Sequence, residues 1–307
     1  TKTVSIYEAI AAQDNLQYLK LQHTNIDNNA AQMLRTYFEQ TTTLHELNLV
    51  SVNCSDACLS TLTDGLVNNN SLHHFSLKKR HEHVTSFKSV AAVISTHREL
   101  RTISLLVPHA CDMLELINKC VPNEQIELFL ESINKNQNIV DLQINYIPLN
   151  KNQTARFAEI IQDHTSLRRL LISDPNFHKN LPHFHEALRH NYIIIEFNNM
   201  NNDYTIEEYL NRNRQLYAKE KELIANVRDI ENSHQAYVHS TDATQERQDM
   251  LDLITKRVDS AYNLLADMKT ITENHTPIIE AHLKLCTARI YTSLGDYPSA
   301  KDFYNMI

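Results

Sequence analysis

Glycine is almost missing from this chain, with two among 307 residues, Gly65 and Gly295. Loops that cradle a nucleotide phosphate need several residues without a Cβ, so that backbone N–H groups can close on the anion, and that class of site is excluded. Tryptophan is absent, and the five cysteines (Cys54, Cys58, Cys111, Cys120, Cys286) are odd in number with no paired spacing. They read as free, buried thiols in a reducing compartment rather than as a disulfide framework. No apolar run approaches the length of a bilayer span, and no charged-then-apolar leader opens the sequence, so neither membrane insertion nor a signal peptide is expected. A basic excess is also lacking. The net charge is -8 and divides equally between residues 1–203 and 204–307. Nucleic acid is held by clustered Lys and Arg, so it is not an expected partner.

What is present is enough apolar material for a core, 42% of residues against 21% charged, and an abundance of asparagine, 31 in all. An apolar residue followed by others three and five positions on occurs seven times: Leu16/Leu19/Leu21, Leu44/Leu47/Leu49, Leu72/Phe75/Leu77, Leu100/Ile103/Leu105, Ile139/Leu142/Ile144, Leu167/Leu170/Ile172 and Tyr192/Ile195/Phe197. The starts lie 28, 28, 28, 39, 28 and 25 residues apart, so one unit carries an 11-residue insertion. The last two apolar residues of each triad alternate with polar ones, the period of a short strand with one buried face.

Between the triads the spacing becomes helical, over 29–41, 56–68, 85–96 and 154–164. Each stretch carries one narrow apolar stripe, as in Leu34, Tyr37 and Phe38 or Leu59, Leu62 and Leu66. Asp27-Asn28 and Ser55-Asp56 supply acceptors for the unpaired N–H groups of the helix starts. One strand and one helix cannot bury their faces alone, so neighbouring units must stack. The fold class expected is α/β, with about seven strand–helix units.

These triads and helical returns resemble the leucine-rich-repeat family, and the long period is similar to its ribonuclease-inhibitor type. The resemblance covers roughly residues 1–203, with Val4, Ile6, Tyr7 and Ile10 read as the helix of a first unit. It implies a curved solenoid with a parallel sheet on the concave side and helices outside. The family's asparagine after each strand is not matched: its positions hold Thr24, Val52, Arg80, Pro108, Ile147 and Pro175. The Asn-rich, Gly-poor style is similar to the leucine-rich-repeat effectors that intracellular bacteria, notably Legionella, inject into eukaryotic hosts.

Residues 204–307 read as a separate helical domain. A helix over 205–231 caps the repeats, a polar loop follows from Glu231 to Thr244, and a long amphipathic helix covers 245–272 with Leu251, Ile254, Val258, Ala261, Leu265 and Met268 on one stripe. Fewer than four heptads favour an intramolecular bundle over an intermolecular coiled coil. Cys286–Tyr304 resembles the second half of a tetratricopeptide repeat through Tyr291, Leu294-Gly295-Asp296-Tyr297, Ala300 and Tyr304, while Lys284 and Ala288 depart from it. The sequence stops at Ile307 inside an expected helix, which reads as a chain that continues.

Chemistry finds little footing. His73, His74, His81 and His83 lack cysteine or acid partners at metal spacing and read as a solvated surface. His185-Glu186 and His190 miss the helical zinc motif, because the second histidine comes five residues after the first and not four. Cys111-Asp112 lies inside the repeats with its acid adjacent, unlike the cysteine of effector ubiquitin ligases, and reads as a structural thiol. No serine-hydrolase, P-loop or kinase signature occurs. No catalytic residue, metal or cofactor is expected.

The residues interleaved with each triad point to the open face of the sheet. They are candidate partner contacts: Tyr18, Lys20, Glu46, Asn48, His74, Lys78, Asp141, Gln143, Arg169 and Glu196, together with Ile194 and Asn198 of the last unit. Tyr18 and Arg169 are of the types most enriched at binding hot spots. The insertion, with an extra helix over His109–Cys120, is a second candidate. The leading reading is a monomeric, non-enzymatic protein-binding module, an effector in the host cytoplasm that binds a host protein. The alternatives are the substrate-recognition part of an enzyme, and an adaptor within the producing cell.

Overall fold

The structure is a computed structural model, and it describes residues 6–79, 87–106, 122–145, 147, 149–173, 177–198, 203–239, 244–271, 284 and 287–288. The chain divides into two compact units, residues 1–210 and 211–307.

The first unit alternates helix and strand. Among the described residues its elements are α1 (Ile6–Ala11), β1 (Tyr18–Gln22), α2 (Asn28–Gln40), β2 (Glu46–Val52), α3 (Asp56–Val67), β3 (His74–Lys79), α4 (Phe87–Thr96), β4 (Thr102–Leu106), α5 (Asn123–Lys135), β5 (Asp141–Asn145), α6 (Lys151–Asp163), β6 (Arg169–Ser173), α7 (Phe177–His190) and β7 (Glu196–Asn198). The seven strands form one sheet in sequence order, and every neighbouring pair is parallel. This is the stacked architecture that the repeat requires, and it fits a leucine-rich-repeat-type solenoid.

The triads form the core. Leu44, Leu47, Leu72, Leu100, Ile103, Ile139, Leu142, Leu167 and Leu170 have no exposed surface. Helix phenylalanines close over them, and Phe87 meets Phe129 edge-on at 5.5 Å while Phe157 meets Phe184 at 6.1 Å. The helix starts are capped from the side chains expected: Asp27 Oδ1 accepts from Ala30 N at 2.8 Å and Ser55 Oγ from Cys58 N at 3.1 Å. Asn150 and Gln153 form a reciprocal box on α6, each side chain accepting from the other's backbone N–H at 2.9 and 3.0 Å. Cys54 and Cys58 are buried free thiols.

Gly65 answers to a close approach. A Cβ there would lie 2.6 Å from the Arg35 carbonyl oxygen and 2.8 Å from its Cα. Helices α2 and α3 therefore touch backbone to backbone. Gly65→Ala is expected to lower stability by about 1–2 kcal/mol, because forced separation of the helices outweighs the roughly 1 kcal/mol that alanine gains in a helix interior. A urea titration followed by circular dichroism measures this, and a variant as stable as the wild type would show that the approach can relax.

The seventh unit corrects the sequence reading. In the sheet, Arg169 pairs with Glu196 and Leu170 with Phe197. The first apolar positions are therefore Ile194 and Phe197, not Tyr192 and Ile195, and the last interval is 27 residues. Ile194 is fully buried and is no partner contact. A search for three apolar residues slips by two here, because the third position in register is occupied by Asn199.

The absent asparagine ladder is also corrected in part. One residue beyond the inspected positions, Asn53 Nδ2 donates to Asn25 Oδ1 at 3.1 Å beside an isolated backbone bridge. His23 and Ser51, with φ of 53° and 51°, turn the chain in the left-handed region just before it and shift the count. Val52 and Ile147 are buried in the core.

Two further helices follow, α8 (Tyr204–His239) and α9 (Thr244–Ile271). Ile206 and Leu210 belong to the core of the first unit. In the second unit, Leu216, Leu223, Val227 and Ile230 are buried on α8, and Ile254, Val258, Ala261, Leu265 and Met268 on α9. The helices run antiparallel. Lys219 Nζ donates to Asp267 Oδ2 at 2.8 Å, and Arg257 Nη1 donates to Ser233 Oγ at 2.9 Å and to the Asp229 carbonyl at 3.0 Å. The polar stretch expected to be a loop from Glu231 is helical to His239, because no glycine or proline occurs between Pro182 and Pro277 to stop it. The expected helix at 109–120, the loop histidines His81 and His83, Cys111 and the tetratricopeptide-like hairpin lie outside the described residues.

Candidate functional site

Strand register sets the open face of the sheet. Tyr18, Glu46, His74, Thr102, Asp141, Arg169 and Glu196 form one row from β1 to β7. Lys20, Asn48, Ser76, Ser104, Gln143, Leu171 and Asn198 form the next, and Val50, Lys78 and Leu106 lie in a third. All ten candidate contacts thus share one face. Tyr18 is 48% exposed. Lys20, His74 and Glu196 are exposed, and Glu46, Asn48, Lys78, Asp141, Gln143 and Arg169 are half-buried between their neighbours.

The two ends of the face differ. Toward β7, Arg169 bridges two acids, with Nη1 3.4 Å from Asp141 Oδ2 and Nε 3.1 Å from Glu196 Oε1. Burial pushes the Asp141 carboxyl up from its ordinary value, and Arg169 only partly offsets this. Toward β1, Asn48 Nδ2 donates to Glu46 Oε1 at 2.7 Å and to Tyr18 Oη at 3.4 Å. In the middle, Ser104 Oγ donates to Gln143 Oε1 at 3.4 Å. The centre of the face is uncharged and polar.

A further row was not anticipated. Where each strand begins, backbone N–H groups of His73, Arg101, Val140, Arg168 and Ile195 bond the carbonyl of the matching residue one unit earlier, at 2.8–2.9 Å. His45, His73 and Arg101 thereby line the edge of the face, with the two imidazoles 5.1 Å apart. The signal lay in the residue after the first apolar position of each unit.

A second unanticipated row is internal. Three positions before the second to seventh triads in register stand Thr41, Asn69, His97, Asn136, His164 and Asn191. All but Thr41 are buried. Each buried member donates to carbonyls of the preceding unit. Asn69 Nδ2 reaches Phe38 O at 3.0 Å and Thr41 O at 2.9 Å. His97 Nε2 reaches Leu66 O. Asn136 Nδ2 reaches Ile94 O at 2.7 Å and His97 O at 2.8 Å. His164 Nε2 reaches Asn136 O at 3.2 Å, and Asn191 Nδ2 reaches Ile161 O at 2.8 Å. Most of these carbonyls lie where a helix ends and has no N–H of its own to offer them. Burial holds both the His97 and the His164 imidazole below the ordinary value, against the opposing effect of the carbonyl bonds.

His185 and His190 do not converge. His185 Nε2 contacts Asp203 Oδ2 at 2.9 Å, and His190 Nε2 contacts Glu186 Oε1 at 2.9 Å. Asp203 also caps α8, accepting from Thr205 N and Ile206 N. Among the described residues no three His, Cys, Asp or Glu side chains are grouped to hold a metal, and no helix is long and apolar enough to cross a membrane.

Compared with known protein families, the chain matches none, and no curated protein matches it. Among solved structures, it is similar to leiomodin-1 actin-binding site 2, at 12% identity and a TM-score of 0.41, over 60% of this chain and 98% of that one.

Proposed function

We propose that residues 1–203 form a non-enzymatic protein-binding module whose partner docks on the open face of the sheet, with residues 204–307 as a helical domain. The observation that carries this reading is the register. It gathers hydrogen-bonding and charged side chains from every strand into continuous rows, while the helices occupy the other face. A pre-ordered surface binds without the entropy cost of assembling itself. The Asn-rich, Gly-poor composition supports the finer reading of a monomeric bacterial effector that acts on a eukaryotic host protein inside the host cell.

The test is affinity capture from eukaryotic lysate with mass spectrometry, comparing the wild type with a Tyr18→Ala, Glu46→Lys, Arg169→Glu variant shown by circular dichroism to fold. A host protein retained by the wild type and reduced about thirtyfold or more on the variant is the expected result, since loss of one hot-spot side chain costs about 2 kcal/mol. Equal capture by both would move binding away from the sheet.

A further inference from the structure

The charged groups of the open face are not equally committed. Arg169 is held between Asp141 and Glu196, so the β5–β7 end neutralises its own charge. Glu46 is engaged by Asn48. Among the described residues, Lys20 and Lys78, by contrast, have no ion-pair or hydrogen-bond partner, although Lys20 is exposed and Lys78 half-buried on the same face. Asn48 and Val50 of β2 lie between them, and the exposed His74 stands four residues before Lys78 on the same strand. His45, His73 and Arg101 stand in a row where β2, β3 and β4 begin, and among the described residues Arg101 has one long contact, 3.9 Å to Glu99. Lys20, Lys78 and Arg101 against Glu46 and Glu99 leave this end with a net charge of +1, in a chain whose net charge is -8. A lysine ammonium with no acid paired to it among the described residues is open to a carboxylate from a partner.

We infer that the β1–β4 end of the face receives an acidic segment of the partner protein. This rests on the reading that a protein docks on the sheet. Lys20 and Lys78 sit two strands and two residues apart, about 12 Å given ordinary strand spacing and rise. Carboxylates four residues apart on an extended segment span about 13 Å on one side, so one such segment reaches both lysines. Tyr18, beside Lys20, supplies apolar contact at the end of the row. Two lysines and an arginine are too few for a nucleic-acid tract, which needs a cation for most phosphates it contacts.

The test uses the full chain as bait for a random-sequence displayed peptide library, with recovered peptides measured by fluorescence anisotropy. Enrichment of Asp- and Glu-containing peptides is expected. Their affinity should fall about tenfold or more in Lys20→Glu/Lys78→Glu and on raising salt from about 50 to about 500 mM, and stay unchanged in Lys151→Gln, an exposed lysine on helix α6. Should the double reversal unfold the protein, Lys20→Gln/Lys78→Gln tests the same loss of charge more gently. Neutral or basic peptides that lose binding in Tyr18→Ala would overturn the acidic segment and leave sheet-face docking standing. Peptides indifferent to all these substitutions would overturn both. Failure to enrich any peptide counts against the acidic segment. Tighter binding of a single-stranded oligo-dT, lost in the lysine variants, would replace the acidic segment by nucleic acid.

Discussion

Asn69→Ala is expected to destabilise the first unit by about 3 kcal/mol, lowering its melting temperature by roughly 5–12 °C. Asn69 is buried and makes five hydrogen bonds. Its amide donates to Phe38 O and Thr41 O, and its Oδ1 accepts from Ser71 N at 2.9 Å, Leu72 N at 3.0 Å and Ser71 Oγ at 3.1 Å. Alanine removes both sides of this exchange and leaves buried carbonyls and N–H groups unpaired, each at about 1–3 kcal/mol before relaxation or water entry. Asn69→His should recover part of the loss, because His97 and His164 fill the same place in other units. Calorimetry of the three proteins measures both effects. An alanine variant within about 0.5 kcal/mol of the wild type would mean that the row is ornament and the apolar triads alone set stability.

Acid is expected to weaken the array in a window set by His97 and His164. Both imidazoles are pushed below the ordinary 6.5 by burial. The unfolded chain therefore binds protons that the folded chain refuses, and the sign follows. Stability is full above about pH 6.5 and falls as pH drops below that value and through the depressed folded values. The geometry gives the cause at His164, whose Nδ1 accepts from Ser166 N at 3.3 Å and Leu167 N at 3.1 Å. A proton on that nitrogen faces two donors and leaves both N–H groups unpaired, at about 1–3 kcal/mol. At His97 the cost is desolvation of the cation, since the ring is 2% exposed. Urea titrations between pH 7.5 and 5 should show the fall in the wild type and a flatter profile in His97→Asn/His164→Asn. A double variant as acid-sensitive as the wild type would place the sensitivity in other groups.

Both effects arise from a row that the sequence displayed at a fixed offset and that composition obscured. Asparagine is so common here, 31 residues in all, that Asn69, Asn136 and Asn191 do not stand out. The histidines at 97 and 164 broke the identity from unit to unit, although imidazole and amide alike donate an N–H to a carbonyl of the preceding unit. The strands and helices were easier to read, because burial of one face imposes the same apolar spacing on each unit whatever the side chains. Where an apolar position was lost, at Asn199, the register slipped and Ile194 was placed on the wrong face. The continuation of α8 to His239 was hidden for another reason. A polar stretch without glycine or proline has nothing to end its helix. For the open face, alternation sufficed to place the ten candidates on one side of the sheet, but the pairing of Arg169 with Asp141 and Glu196 depends on strand register, which alternation does not give.

Each side chain of the internal row reaches only to the unit immediately before it, and four of the six intervals between triads in register equal 28 residues. Units are therefore interchangeable at their seams. Excising or duplicating one whole period brings an asparagine or histidine of one unit against the helix-end carbonyls of another, and the seam closes with the same bonds. A gene encoding such a chain can lengthen or shorten the open face of the sheet by recombination in steps of one strand, while fractional steps leave open carbonyls at the seam.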